Sequence, residues 1–305
     1  LLNAEDLNID RSDIMTMAII DLGPDLPEYV ERSKHYLHDM MNMTFPPDVL
    51  MIQGVRCDTP SILSDVSRCG YQIHDTTSDT GLVHRNTTAI HEHLEFDHSE
   101  NLEMSMVGRD GRSHHIAPDC LIDVIKHHGW TIRLYNYESL DGPFYEHHRS
   151  HLSSLIINDA YLHQRKDPEY LHGLMYLGGD LHADDTHDSV RLLLGRSIQQ
   201  GCDPSAWIDV WPILHSDDHM DGSTERQTSV LDSSVKIPQL VRARRNTFFM
   251  AYGDVLGRAG SPITIDLNGN TTTDEGIPYS NDYGLTMDVW IPPFNRFTTN
   301  DDEEE

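Results

Sequence analysis

Residues 171–185 read LHGLMYLGGDLHADD: an apolar run, two glycines, an aspartate, and then polar residues that break the pattern. The run Leu174-Met175-Tyr176-Leu177 is too short for a typical helix and suits a buried strand. Gly178 and Gly179 end that strand with a backbone freedom no other residue offers. Asp180 is thereby presented at the edge of a sheet, where a fixed carboxylate can hold a cation or orient a phosphate. An ordinary turn has the same composition, so the rest of the chain decides between the two.

The chain has 305 residues, enough for one large domain or two small ones, and 38% of them are hydrophobic. Its formal charge of −28 is not confined to a tail, because residues 1–150 and 151–305 each carry 25 acids against 11 bases. Such a surface repels polyanions, and non-specific nucleic-acid affinity needs Lys and Arg to displace counterions, so long nucleic acid is a poor partner. Lysine occurs only at Lys34, Lys126, Lys166 and Lys236. Cys57, Cys69, Cys120 and Cys202 form no C-x-x-C pair and read as free thiols of a reducing, intracellular compartment, with two disulfides as the alternative. No apolar stretch approaches the ~18 residues of a membrane span. No secretory leader is read at the start, which opens on Leu.

Taken in order, residues 1–13 form a polar lead-in, 14–295 one domain of interspersed strands and helices, and 296–305 an acidic, disordered tail. Ile14 to Leu22 reads as a buried strand. Tyr29, Val30, Ser33, Tyr36, Leu37, Met40 and Met41 recur at helical spacing. Val49 to Val55 is a second buried strand, and Ser61 to Cys69 a short helix. Residues 71–115 hold short strand-like runs between polar loops. Cys120 to Lys126 and Trp130 to Glu138 form a hairpin around Gly129. Pro143 opens a helix through Leu155, Ser189 to Gln200 is another helix, and Asn246 to Tyr252 and Leu285 to Ile291 are late strands. Residues 217–234 read as a polar loop.

This order of parts resembles the endonuclease/exonuclease/phosphatase superfamily. The residues that carry the likeness are PPDVLMIQGVR at 46–56, GGDLHAD at 178–184, ARRNTFF at 243–249 and SNDYGLTMDV at 280–289. The helix, double proline and strand at 28–55, with MVGRDG at 106–111, are most similar to its tyrosyl-DNA phosphodiesterase 2-like branch. The resemblance implies an α/β (α+β) fold of the DNase I type. That fold is a four-layer sandwich of two mixed, mostly antiparallel sheets flanked by helices, with an active site at one end. For active members it implies a carboxylate cluster for Mg²⁺, a His-Asp pair, and Asn side chains that orient phosphate and water.

Carried onto this chain, the family's positions are largely altered. The metal-binding Glu falls at Gly54, the first-strand Asn at Ile20 or Asp21, and the Asn after the retained Asp180 at His182. The Ser-Asp-His motif becomes Asn281 and Asp282, and the Arg-x-Asp aspartate becomes Asn246. The His-Leu-Glu-Ser motif fits either RSHLSS at 149–154, keeping His151, or LYNYESL at 134–140, with Tyr137 in the histidine's place. The second register is preferred, because the motif ends a strand. The resulting expectation is a catalytically impaired relative that serves as a binding or structural component of a larger protein assembly, with no cofactor. The alternative is a divergent Mg²⁺- or Mn²⁺-dependent phosphodiesterase, with Asp180 and Asp282 as ligands and Asp21 and His182 nearby.

Other patterns carry less. Twenty histidines form clusters, with His147 and His151 at i, i+4, but no HExxH glutamate accompanies them and they read as solvated. Asp266, Asn268 and Asn270 alternate as in a calcium loop, yet its sixth position is Thr271 and its twelfth Ile277, so a polar turn is expected.

Overall fold

The computed structural model describes residues 9–23, 28–75, 84–102, 105–107, 113–115, 120–139, 145–166, 173–199, 203–215, 247–253, 258–268 and 284–295. Their elements, in order, are β1 (Ile14–Asp21), α1 (Tyr29–Met41), β2 (Val49–Arg56), α2 (Ser64–Arg68), β3 (Tyr71–Asp75), β4 (His84–His91) and β5 (Glu95–Leu102). Then come β6 (Ser105–Val107), β7 (Ser113–His115), β8 (Cys120–His127), β9 (Trp130–Glu138), α3 (Glu146–Lys166), β10 (Leu174–Asp180) and α4 (Asp188–Leu193). The chain closes with β11 (Trp207–Asp209), α5 (Trp211–Leu214), β12 (Thr247–Tyr252), β13 (Ser261–Asn268) and β14 (Gly284–Trp290).

These strands form two mixed six-stranded sheets, ordered β13-β14-β1-β2-β4-β3 and β11-β12-β10-β9-β8-β5, with β6 and β7 pairing apart. In the first sheet β1 runs parallel to β2 and antiparallel to β14, so Met17 lies beside both Val49 and Met287. In the second, β10 runs parallel to β9 and antiparallel to β12. Period-two alternation then sorts every strand into two faces. Met15, Met17, Ile19, Met51, Leu134, Tyr176 and Phe249 belong to the core between the sheets. The opposite faces take helices. Tyr36, Leu37 and Met40 of α1 pack with Ala18 and Leu50, while Leu152, Ile156 and Ala160 of α3 pack with Tyr137 and Leu177. Each fully buried Leu, Ile or Met contributes roughly 1.5–3 kcal/mol against remaining in water. Both sheets bury two faces, which is why their central strands read as near-continuous apolar runs.

The glycines of the opening stretch are needed for contact as well as for a turn. A Cβ at Gly178 would stand 2.5 Å from Met51 Sδ across the core, and one at Gly179 would stand 1.6 Å from the Tyr137 carbonyl oxygen. Only bare backbone allows β10 to pass there.

Two expectations are revised. The helix read over 189–200 stops at Leu193, because Gly195 takes a left-handed φ of 63° that ends the helix. Asp266 and Asn268 lie on β13 rather than in a turn, paired with Thr286 and Gly284 of β14. In agreement with the helix expected there, residues 149–154, including His151, lie within α3, and the preferred register at 134–140 is the one that ends a strand. The proposed helix start at Pro143, the polar loop at 217–234 and both chain ends lie outside the described residues. No helix among the described residues is long and apolar enough to cross a membrane.

Candidate active site

The parallel strands β1, β2, β9 and β10 bring their C-terminal ends to one end of the sandwich. Two contacts fix this. Gly178 of β10 faces Ile19 and Met51, and Gln53 Nε2 of β2 donates to Asn136 Oδ1 of β9 at 2.6 Å, joining the sheets. Asn136 Nδ2 in turn donates to the Thr87 carbonyl at 2.9 Å and to Thr88 Oγ1 at 3.2 Å. Just beyond this amide clip lie the inward positions Asp21, Glu138 and Asp180. Asp180 is registered between Glu138 on β9 and Thr247 on β12.

All three acids are withdrawn from solvent, with Asp21 8%, Glu138 5% and Asp180 2% exposed. Asp180 Oδ1 accepts the backbone N–H of His182 at 2.8 Å, and His182, at φ 42°, folds back so that its Nε2 stands 3.5 Å from Asp180 Oδ2. Asp21 Oδ1 likewise accepts the N–H of Gly23 at 3.0 Å. Beside Asp21 lies the fully buried guanidinium of Arg32 from α1, which donates to the carbonyls of Leu22 at 3.4 Å and Gly23 at 3.0 Å. Burial lowers the pKa of Arg32, and the Asp21 charge works against that fall.

Gly54, which the sequence resemblance sets where the family's metal carboxylate is expected, adopts a φ of 72°, and the β2–β4 pairing slips between Ile52 and Val55. Its carbonyl accepts the Tyr29 hydroxyl at 2.8 Å, while the same hydroxyl accepts the N–H of Arg56 at 2.9 Å. Burial is the main reason the Tyr29 phenol is pushed up to about 12, so it stays protonated and keeps donating.

Of the residues singled out from the sequence, Asp21, Asp180 and His182 come to this end, and Gly54 flanks it with backbone alone. Tyr137 does not reach it. Its ring packs under α3 with Leu152 and Ile156, and burial holds its phenol well above the usual range. The neighbours Asn136 and Glu138 are the inward residues of β9. Glu138 and Arg32 were missed from the sequence. Alternation from Ile132 and Leu134 through Asn136 points to Glu138, whereas no pattern marks Arg32 apart from its place on the buried stripe of α1. Asn246, Asn281 and Asp282 lie outside the described residues.

The described residues do not by themselves assemble a conventional Mg²⁺ site. Mg²⁺ needs oxygen ligands converging in near-octahedral geometry, whereas one oxygen of each of Asp21 and Asp180 is held by a backbone N–H two residues on and Gly54 offers no side chain. Among the described residues, the group of three acids and histidines whose ligand atoms all lie within 4.8 Å of one another is Glu100, Asp159 and His163, on β5 and α3. That group already holds a cation of its own. Arg133 Nη2 donates to Glu100 Oε2 at 3.1 Å and to Asp159 Oδ2 at 2.9 Å.

The two sheets, their order and the helices outside them decide the architecture. This is the endonuclease/exonuclease/phosphatase fold. The structure superposes on a truncated Caenorhabditis elegans TDP2 with TM-score 0.67 and 14% identity, covering 91% of this chain and 97% of that one. Against D. rerio TDP2 complexed with a single-strand DNA product the TM-score is 0.66 at 15% identity, covering 90% and 98%. An endonuclease/exonuclease/phosphatase from Bacteroides vulgatus gives 0.63 at 11%, covering 91% and 99%. At such identities the likeness establishes the fold alone. No protein-family model and no curated protein matches the chain.

Proposed function

We propose that this chain is a catalytically impaired protein of the endonuclease/exonuclease/phosphatase fold, retained as a binding or structural component of a larger protein assembly. The observation that carries this reading is Gly54. Its position lacks the carboxylate, and its left-handed backbone is one a replacing side chain enters only at a cost of about 1–2 kcal/mol. Arg32 supports the same reading, because its buried positive charge already answers the Asp21 carboxylate that a metal would use. The −28 charge favours a protein partner over long nucleic acid.

The second reading is a divergent Mg²⁺- or Mn²⁺-dependent phosphodiesterase acting on a tyrosyl-DNA end or a small phosphoester. Its support is the gathering of Asp21, Glu138 and Asp180 at one end of the sandwich. The test assays purified protein on a generic phosphodiester and a tyrosyl-oligonucleotide, with Mg²⁺ or Mn²⁺. The proposal expects no turnover above the background of an Asp180→Asn variant. Metal-dependent turnover that this substitution abolishes would establish the second reading instead.

A further inference from the structure

The two halves of α3 are anchored in different ways. In the second half Ile156, Ile157 and Ala160 belong to an apolar cluster with Tyr135 and Leu177, and Asp159 takes the Arg133 guanidinium. The first half adds one apolar contact, Leu152 against Tyr137, and otherwise buries polar groups. His148 is 5% exposed, Arg149 1% and Ser153 0%. Neither ring nitrogen of His148 has a hydrogen-bond partner, and the Ser153 hydroxyl has none either. Burying an unpartnered imidazole costs free energy, and burying it charged costs far more.

One carboxylate ties down the start of the helix. Glu146 Oε2 accepts hydrogen bonds from Arg149 Nε at 3.0 Å and Nη2 at 2.9 Å, and Glu146 Oε1 accepts the Ser189 N–H of α4 at 2.8 Å. Burial works against its charge, yet Ser189 and Arg149 hold the carboxyl below its usual range, so the tie stays ionised. His148 therefore sits beside a fixed cation. Burial lowers its pKa first, and the His151, Arg149 and His147 charges of the same helix lower it further. The elements packed against α3 bring Asp188 and Arg191 of α4, His98 and Glu100 of β5 and Arg133 of β9. Glu100 bonds His98 and Arg133, and Arg133 bonds Asp159, about three turns along the helix. Asp184 and His187, just before α4, face each other at 2.9 Å. Among the described residues no carboxylate bonds the His148 ring.

We propose that residues 146–153, at the start of α3, are an acid-released strap: a proton delivered to His148 undocks them from the second sheet and frees Ser189 from Glu146, while the second half of the helix stays pinned by Arg133. The sign follows from linkage. A solvated histidine titrates near ~6.5, and the docked ring does so lower. As pH falls below that value the undocked form binds the extra proton, so the opening equilibrium grows by up to about tenfold per pH unit. The strap covers Tyr137, the neighbour of Glu138 on β9, so its release reaches the strand end that flanks Asp180. The proposal holds whether or not that end retains chemistry.

The test is amide hydrogen exchange of the full chain, read by mass spectrometry at about pH 7.5 and about pH 5 and corrected for the intrinsic rate at each. Opening in peptides from 146–153 should grow roughly tenfold at the lower pH, while peptides from 156–166 and from β1 and β2 change little. His148→Leu removes the titrating ring and should abolish the gain, whereas His147→Ala and His151→Ala, at exposed positions, should keep most of it. Melting curves establish that each variant folds. Should His148→Leu not fold, the contrast between the two halves of α3 in the wild type decides. No gain at 146–153, an equal gain in both halves, a gain that persists in folded His148→Leu, or one that follows His147 or His151 instead would each overturn the proposal.

Discussion

Asp123 on β8 is a fully buried carboxylate that accepts the Ser99 hydroxyl. Burial outweighs its hydrogen bonds from Ser99 and Thr88 and, with the nearby Asp75 charge, pushes its pKa up to about 6. The unfolded chain titrates this group near 3.9. Between about pH 4 and pH 6 the native state therefore holds a proton that the unfolded state releases, and stability falls as pH rises through that window. Two pH units correspond to about 3 kcal/mol. Asp123→Asn should raise unfolding free energy at pH 7 by ~1–3 kcal/mol and change it little at pH 4. Urea unfolding at the two pH values checks this, and an equal change at both would reject it. Residue roles were the least legible part of the sequence. Asp180 announced itself through the glycines before it, but the motif alignment placed Tyr137 at the mouth, one position away from the inward Asn136 and Glu138. A one-residue slip on a strand exchanges its faces.

At the scale of elements, α3 is pinned to its sheet by Arg133 of β9. Its guanidinium is fully buried and bonds Asp159 of α3, Glu100 of β5 and the Tyr135 hydroxyl. The partners differ in depth, since Asp159 is 14% exposed and Glu100 41%. Arg133→Met takes the guanidinium from the half-buried Asp159, which keeps only the Tyr135 hydroxyl and the nearby His163, and should cost about 2–3 kcal/mol. Glu100→Gln, on the open side, should cost less than about 1 kcal/mol. Thermal denaturation of the two variants measures the contrast, and similar losses would show that depth does not govern the network. Elements of this kind were well marked in the sequence. β1, β2, β8, β9, β12 and β14 and the span of α1 follow from apolar runs and helical spacing, because both faces of the central strands are buried. β13 was missed because its burial alternates weakly, and only its pairing with β14 makes it a strand.

For the whole molecule, 50 acids against 22 bases make self-repulsion a general destabilising force. Raising NaCl from about 0.01 M to about 1 M shortens the Debye length from ~30 to ~3 Å. The melting temperature should therefore rise by several degrees across that range, as differential scanning calorimetry can measure. A flat or falling profile would mean that paired charges, such as those around Arg133, outweigh the excess. The fold was legible at this scale because the order of parts runs along nearly the whole chain, whereas the closeness of His91 and His93 to Asp48 depends on a crossing between sheets that no local pattern encodes.

The strand order also sets a schedule. One sheet draws all six strands from the continuous stretch between Glu95 and Tyr252, while the other needs β1 to β4 from early in the chain and β13 and β14 from near its end. During synthesis the first of these can close while the other still waits for β14. Until β14 emerges from the ribosome, β1 offers a bare row of amides and carbonyls to any passing strand. The nascent chain is thus most prone to mispairing in the interval after Tyr252 has emerged and before Trp290 has.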